Sequence, residues 1–333
     1  TVGVLNVNNK TDEGVFTEDI RAGGNDAVVD FGSRLANIPP SRMSEGCGDD
    51  ASRCVNRAGS TWQRVQRAAE EAYDTSASCD FSAFVGYEYT NARKANSLHR
   101  NVIFRNGEVP GEPTSTYEEP RPQGLWRTLR RECLEDGSAC DVLAIPHNSN
   151  QSAGTMFAPT YPETSSKKEE RAYAELRRRV EPLFEIYQHK GAMECMGGLS
   201  GALVGNDELC GFEKIHRKSF DDCGDETGFG GLGGVGCVSR WDFWRNVLVL
   251  GMRERERLGV NPYRLGLVGG TDTHNATPGL VDEEAWPGHI GDTDATPKTR
   301  LTGAAGGSFT TDGIVTSPGG LTGVWAVENS RDA

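Results

Sequence analysis

Hydrophobic residues fall into a regular pattern only from Ser60 onward; residues 1–59 are rich in glycine and asparagine, show little periodicity, and read as a lead-in. Ser60 is placed to cap a helix over 61–74, with Trp62, Val65, Ala69 and Tyr73 on one face. Strands are predicted over 81–89 (DFSAFVGYE) and 101–105 (NVIFR). Pro122 starts a helix that runs through Leu134 and is ended by Gly137. The continuous apolar run DVLAIP (141–146) is typical of a strand buried on both faces. A charged helix follows over 167–181, with Tyr173, Leu176 and Val180 inward and Pro182 as its stop. LFEIYQ (183–188) is the next strand, Ser239 caps a long helix over 240–258, and RLGLVGG (264–270) and TGVWAVEN (322–329) are further strands.

Short buried strands alternating with helices predict an α/β fold of parallel β/α units. The glycine-rich stretches 196–238 and 276–320 read as insertions between units, so that residues 60–333 form a single domain. The length of 333 residues fits either two domains or one large barrel. The 36% hydrophobic content omits 42 glycines, and with these the chain has enough apolar residues for a true core. Whole-chain disorder, collagen and coiled coil are excluded, and no run of about 18 apolar residues is present to span a membrane.

Charge narrows the partners. Thirty-five basic against 48 acidic residues leave a net charge of −13, which repels a phosphate backbone and argues against nucleic-acid binding. A small anionic substrate at a locally positive or metallated site stays compatible with it. Nine cysteines include Cys47 with Cys54, Cys133 with Cys140, Cys195 with Cys210, and Cys223 with Cys237, each pair 7 to 15 residues apart in loop-like sequence. Such spacing suggests local disulfides and a periplasmic or secreted protein, with Cys79 left over. There is no C-x-x-C, which leaves zinc-ribbon and thioredoxin readings without support.

The chemistry-bearing residues gather where apolar strands end. Glu88 closes the first strand, His147 follows DVLAIP, Glu185 and His189 lie in and just after LFEIYQ, and Asp272 and His274 follow RLGLVGG. In a parallel β/α barrel all strand C-termini open on one face, so these side chains are expected to converge. Imidazole and carboxylate donors suit zinc, manganese or iron. His99 precedes a strand with Arg93, Lys94 and Arg100 nearby, and arginine forks match phosphoryl or sulfuryl oxygens; Lys190 is a similar candidate. Rival motifs are weak. G228-F-G-G-L-G233 and G231-L-G-G-V-G236 neither follow a strand nor open a helix, G198-L-S-G201 lacks the spacing of a nucleophile elbow, and D292-T-D294 lacks the spaced ligands of a calcium loop.

Taken together, F84-V-G-Y-E-Y-T90, L98-H-R-N-V-I-F104, C140-D-V-L-A-I-P-H-N-S-N150, F184-E-I-Y-Q-H-K-G191, L209-C-G-F-E-K214, L267-V-G-G-T-D-T-H-N275 and the closing G320-L-T-G-V-W-A-V-E-N-S-R331 resemble a bacterial family, domain of unknown function 3604. That family is related to the PHP (polymerase and histidinol phosphatase) metal-dependent phosphoesterases. The resemblance implies a distorted (β/α)7 barrel with two or three divalent metals at its C-terminal face. Glu88 resembles the bridging carboxylate, His99 and His147 the middle histidines, Asp272 and His274 the closing D-x-H pair, and Glu185 the glutamate of the I-E-V-Y-N-like strand. An opening H-x-H and a later D-H pair are absent, which implies a barrel incomplete at its N-terminus in a chain shortened at both ends. The expected function is hydrolysis of phosphoesters by a metal-activated water. In it Glu88, His147, Asp272 and His274 hold metal, His99 or His189 acts as a further ligand or as general acid, and Arg100 or Lys190 neutralises the substrate. The alternative is a non-catalytic secreted binding domain with structural metal or none. The sequence does not speak to oligomeric state.

Overall fold

The computed structural model describes residues 25–202, 208–216, 219–232, 236–289, 296–302 and 316–333. The chain divides into two compact units: residues 1–93, 99–144 and 324–333 form the first, and residues 94–98 and 145–323 the second. The first holds α1 (Asn25–Ala36), α2 (Ser44–Cys47), α3 (Ser52–Ala72), β1 (Gly86–Tyr89), β2 (Arg100–Phe104), α4 (Pro122–Leu129) and the start of β3 (Val142–Pro146). These strands make a sheet of order β1-β2-β3. β1 and β2 are antiparallel, with Glu88 opposite Asn101. Trp62 of α3 is buried and meets Tyr87 edge-on at 5.7 Å between ring centroids and Phe104 at 5.9 Å, while its Nε1 donates to the Pro110 carbonyl. Aromatic contacts of this kind add to the area they bury.

Three predicted elements change here. The helix expected from 61 begins at Ser52, and Ser60 lies inside it, donating its hydroxyl back to the Arg57 carbonyl instead of capping. The Cys47–Cys54 disulfide fastens α2 to the first turn of α3, a constraint invisible to periodicity. The strand expected over 81–89 shortens to β1, because the Asp74 carboxylate gathers the Ser76 and Asp80 amides and turns the chain before it. The strand expected over 322–329 does not form. Within the first unit, Val324–Ala333 is irregular and Trp325 is fully exposed. Side chains hold this segment in place of a ladder. Buried Arg331 donates to the Ala83 carbonyl (2.6 Å) and to Glu70 (2.7 Å) and lies 4.2 Å over the Tyr73 ring, and Ser82 donates to the Asn329 carbonyl.

The second unit holds α5 (Lys167–Val180), β4 (Leu183–Gln188), β5 (Gly191–Ala192), α6 (Trp244–Leu258), β6 (Gly266–Gly269) and α7 (Pro297–Thr302). Ser166 caps α5, accepting from the Glu169 amide. β4 lies between β5 and β6, parallel to β6 with Glu185 opposite Val268, and antiparallel to β5. Its core packs Phe157 edge-on against Phe184 and Tyr263, with Trp244, Val247 and Leu250 of α6. Arg177 is buried over the Phe157 and Tyr263 rings and pairs with the fully buried Glu181 at 3.0 Å. Ser239 caps only a single 3-10 turn, Arg240–Asp242, and α6 starts afresh at Trp244.

The protein is therefore α/β, but its described strands form two three-stranded sheets and close no barrel. Connections without an α-helix explain the departure: β1 turns back into β2, and β4 into β5, without the crossover that a parallel neighbour requires. All four neighbouring cysteine pairs are bonded, and Cys79 is free. Four disulfides fit an oxidising compartment. No described helix is long and apolar enough to cross a membrane.

Replacing Arg331 by alanine takes a donor from the Ala83 carbonyl and removes the Tyr73 contact and the pairing with the half-exposed Glu70. The expected loss is about 2–3 kcal/mol in denaturant unfolding, with faster amide exchange across residues 324–333; unchanged exchange there would refute the clamp.

Candidate metal centre

Parallel pairing of β4 with β6 brings their C-terminal ends together in the second unit. β4 ends on Gln188 and is followed by His189 and Lys190; β6 ends on Gly269 and is followed within three residues by Asp272. The Gly270 amide donates to the Tyr187 carbonyl at 3.0 Å, which fixes the spacing of the two exits. Asp272 is the hub. Its Oδ2 accepts from Lys190 Nζ, from Gln188 Nε2 at 2.8 Å and from Asn148 Nδ2 at 3.4 Å, and lies 3.5 Å from His189 Nε2. Gln188 also donates to the Asn148 side chain, and its own carbonyl oxygen accepts from the Lys190 amide at 2.6 Å. Asp272 (φ 49°) and Asn148 (φ 60°) both stand in the left-handed region, strain of a kind concentrated at functional sites.

Histidines surround this hub. His189 and His289 stack with centroids 3.4 Å apart, and His274 meets His289 edge-on at 4.6 Å. The His274 Nδ1 lies 2.8 Å from the Asp272 carbonyl, an arrangement that turns Nε2 outward as the open nitrogen. His147 is fully buried, and its charge acts on Asp272. Glu185 is buried with its Oε2 against Gly270, where an added Cβ would approach within 2.6 Å; the backbone passes there only because glycine has no side chain.

Electrostatics set the protonation states a metal needs. Burial pushes the Asp272 carboxyl up, but Lys190, the contact with His189 and the charge of His147 outweigh it and hold the group well below the usual carboxylate range. Burial, reinforced by Lys190, drives His189 down to about 3. His289 is driven far below the usual imidazole range by burial and by His189. Asp272 is thus ionised and His189 and His289 are neutral, the form in which these side chains coordinate. His189 Nδ1 is buried with no hydrogen-bond partner among the described residues, the state of a ligand nitrogen before its ion. The donors fit zinc, manganese or iron. Glu88, His99, His147, Asp272 and His274 all offer metal-ligand atoms.

In the first unit, the predicted residues Glu88 and His99 pair at 2.9 Å between Oε1 and Nδ1, and Thr90 donates to the same carboxylate oxygen. Arg100 is 1% exposed beside Tyr89, whose phenol it pulls down against a burial that pushes it up to about 12. Asp292 and Asp294 lie outside the described residues.

Sequence reasoning missed His289, Gln188, Asn148 and Asp242. His289 follows a glycine inside a long insertion, far from any strand, so nothing local marked it. Asn148 and Gln188 sat at the strand ends already singled out, but amides are not ligand types. Asp242 supports the buried loop that follows His147: its carboxylate accepts from Ser152 Oγ and the Gly154 amide at 2.6 Å each and from the Ser239 amide at 2.8 Å, and its carbonyl accepts from Ser149 Oγ.

One family model, described as "Protein of unknown function (DUF3604)", matches residues 14–333. No curated protein and no solved structure matches the chain.

Asp242→Ala leaves one hydroxyl and two amides without acceptors in a dry site. The loss should reach about 3 kcal/mol or more in equilibrium unfolding, and a variant within about 1 kcal/mol of wild type would show that the loop does not depend on this carboxylate.

Proposed function

The chain belongs to the DUF3604 family of proteins of unknown function, and we propose that it is a metal-dependent hydrolase of phosphoesters, related to the PHP phosphoesterases and secreted or periplasmic. One observation carries this reading: an ionised Asp272 and a neutral His189 with a buried, unpartnered nitrogen stand side by side at the ends of two parallel strands, next to the ammonium of Lys190. Asp272, His189, His274, His289 and His147 are the residues of the second unit that would hold a divalent ion. Such an ion supplies a water of lowered pKa and draws charge from phosphoryl oxygens.

The protein's own groups account for the rest. Gln188 and Asn148 orient the Asp272 carboxylate, so its direction is fixed before anything binds. Lys190, 12% exposed at its side chain, keeps that carboxylate ionised and is the positive charge nearest to an arriving phosphoryl group. His274 is exposed, with Nδ1 committed to the Asp272 carbonyl, which leaves Nε2 as the nitrogen that would face an ion. Four disulfides fit the proposed export.

Elemental mass spectrometry of protein purified without chelator should find at least one equivalent of zinc, manganese or iron per chain. Asp272→Asn should lose that metal and lower turnover of p-nitrophenyl phosphate or bis(p-nitrophenyl) phosphate by roughly 100-fold or more. Full turnover in the variant would sink the assignment, and stoichiometric metal without turnover of either ester would leave a non-catalytic binding domain.

A further inference from the structure

The residues at the centre of the proposed site stand on a slender support. β4 and β5 form an antiparallel hairpin in which Gln188 opposes Gly191, so His189 and Lys190 are its two-residue turn. β5 is only two residues long, and a two-stranded hairpin this short is not stable on its own in water. Contacts from beyond β5 have to hold the turn.

Residues 213–216 supply them, running along the free edge of β5. The Ala192 amide donates to the Glu213 carbonyl at 2.9 Å, and Gly191 bridges to Lys214 in the antiparallel sense. The approach is close: Gly191 has φ 87°, and a Cβ there would stand 2.2 Å from the Glu213 carbonyl oxygen. Three side chains of this run add bonds of their own. Glu213 accepts from the Tyr187 hydroxyl of β4, Lys214 Nζ donates to the Ala192 carbonyl at 2.9 Å, and His216 Nε2 donates to the Asn150 carbonyl.

The last of these bonds leads to Lys190. Asn150 Nδ2 donates to the Lys190 carbonyl at 3.0 Å, and the Lys190 amide donates to Gln188 Oε1 at 2.6 Å. Both peptide groups flanking the Lys190 Cα are therefore held by side chains, which fixes the direction in which its ammonium reaches Asp272. A carbonyl oxygen only accepts, so Nε2 carries the His216 proton, and burial pushes this imidazole below its usual range and keeps it neutral. Asn150 and His216 are both buried, so removing the imidazole leaves the Asn150 carbonyl without its donor in a dry place.

We propose that His216 is a positioning residue of the site: bonded to the Asn150 carbonyl, it sets the Asn150 side chain on the hairpin turn and so keeps Lys190 Nζ on Asp272. Its consequence for catalysis rests on the metal-dependent reading above, whereas the coupling of His216 to Lys190 does not.

The coupling is measured on the full chain in chelator, from the rate at which acetic anhydride acetylates Lys190 relative to the exposed Lys167, followed by peptide mass spectrometry. An amine paired with a carboxylate reacts slowly. His216→Leu should raise the Lys190 rate by about fivefold or more, the scale of one lost buried hydrogen bond, with Lys167 unchanged. Should that variant not fold, His216→Phe, which keeps a planar ring, reads the same loss. His216→Gln, whose amide still donates, should recover most of the slow rate, a rescue that a packing role would not give. Asn150→Ala should raise the rate to a similar extent and add little to His216→Leu, since both cut one chain of bonds. An unchanged Lys190 rate in a folded His216 variant without a donor, no recovery in His216→Gln, or additive effects of the two substitutions would overturn the proposal. A raised rate in a protein that holds no metal and turns over neither ester supports the coupling and sinks the hydrolase reading; metal and turnover with an unchanged rate sink the coupling alone.

Discussion

A single carboxylate with no exposed surface organises the second unit. Asp242 accepts from Ser152, Gly154 and Ser239, and through these bonds it holds the run from Asn148 to Ser152 in the interior although every side chain in that run is polar. Asp242 meets the Ser152 hydroxyl and the Gly154 amide, while Asn150 Oδ1 and Gln151 Oε1 are buried with no hydrogen-bond partner among the described residues. Asn148 and His147 owe their positions to that loop, and Asn148 helps to aim Asp272. Distant segments are thus joined by one acid that has no part in coordination itself.

The second constraint is charge placed by strand geometry. Parallel strands deliver their exits to one end of a sheet, and the chain uses this to set Lys190 against Asp272. The ammonium is the largest of the influences that keep so buried a carboxylate ionised, with His189 and His147 beside it. Burial has the opposite sense for the imidazoles, which it keeps neutral. The same low dielectric therefore gives both kinds of donor their coordinating form, provided that one cation stays beside the acid.

Much of this was legible in the sequence, for physical reasons that can be named. LFEIYQ and DVLAIP were found because continuous apolar runs leave a strand few other options, and α5 because Ser166 and the Tyr173–Leu176–Val180 spacing agree. Asp272, His147 and His189 were singled out because strand ends are where side chains leave a sheet, and the structure places Lys190, His189 and Gln188 against Asp272. What stayed hidden was set by long-range contacts. The early start of α3 depends on a disulfide, the irregular tail on Arg331, and the approach of His289 on the path of a glycine-rich insertion. A single apolar run such as TGVWAVEN states a propensity, and where no neighbouring ladder receives it the propensity goes unused.

Every disulfide closes a ring of only 7 to 15 residues. On a chain that enters its compartment from the N-terminus, both thiols of each of the first two pairs therefore arrive almost together and well before the next pair, whereas the third and fourth pairs follow each other closely. Eight cysteines allow 105 pairings on paper, but short loops close fastest and at the smallest entropic cost. Closure of the short rings is thus favoured over long-range pairing, even with Cys79 present when each later pair arrives. Cys79 lies between the first pair and the second, much farther from Cys54 and Cys133 than the 7 residues that separate each of those from its partner.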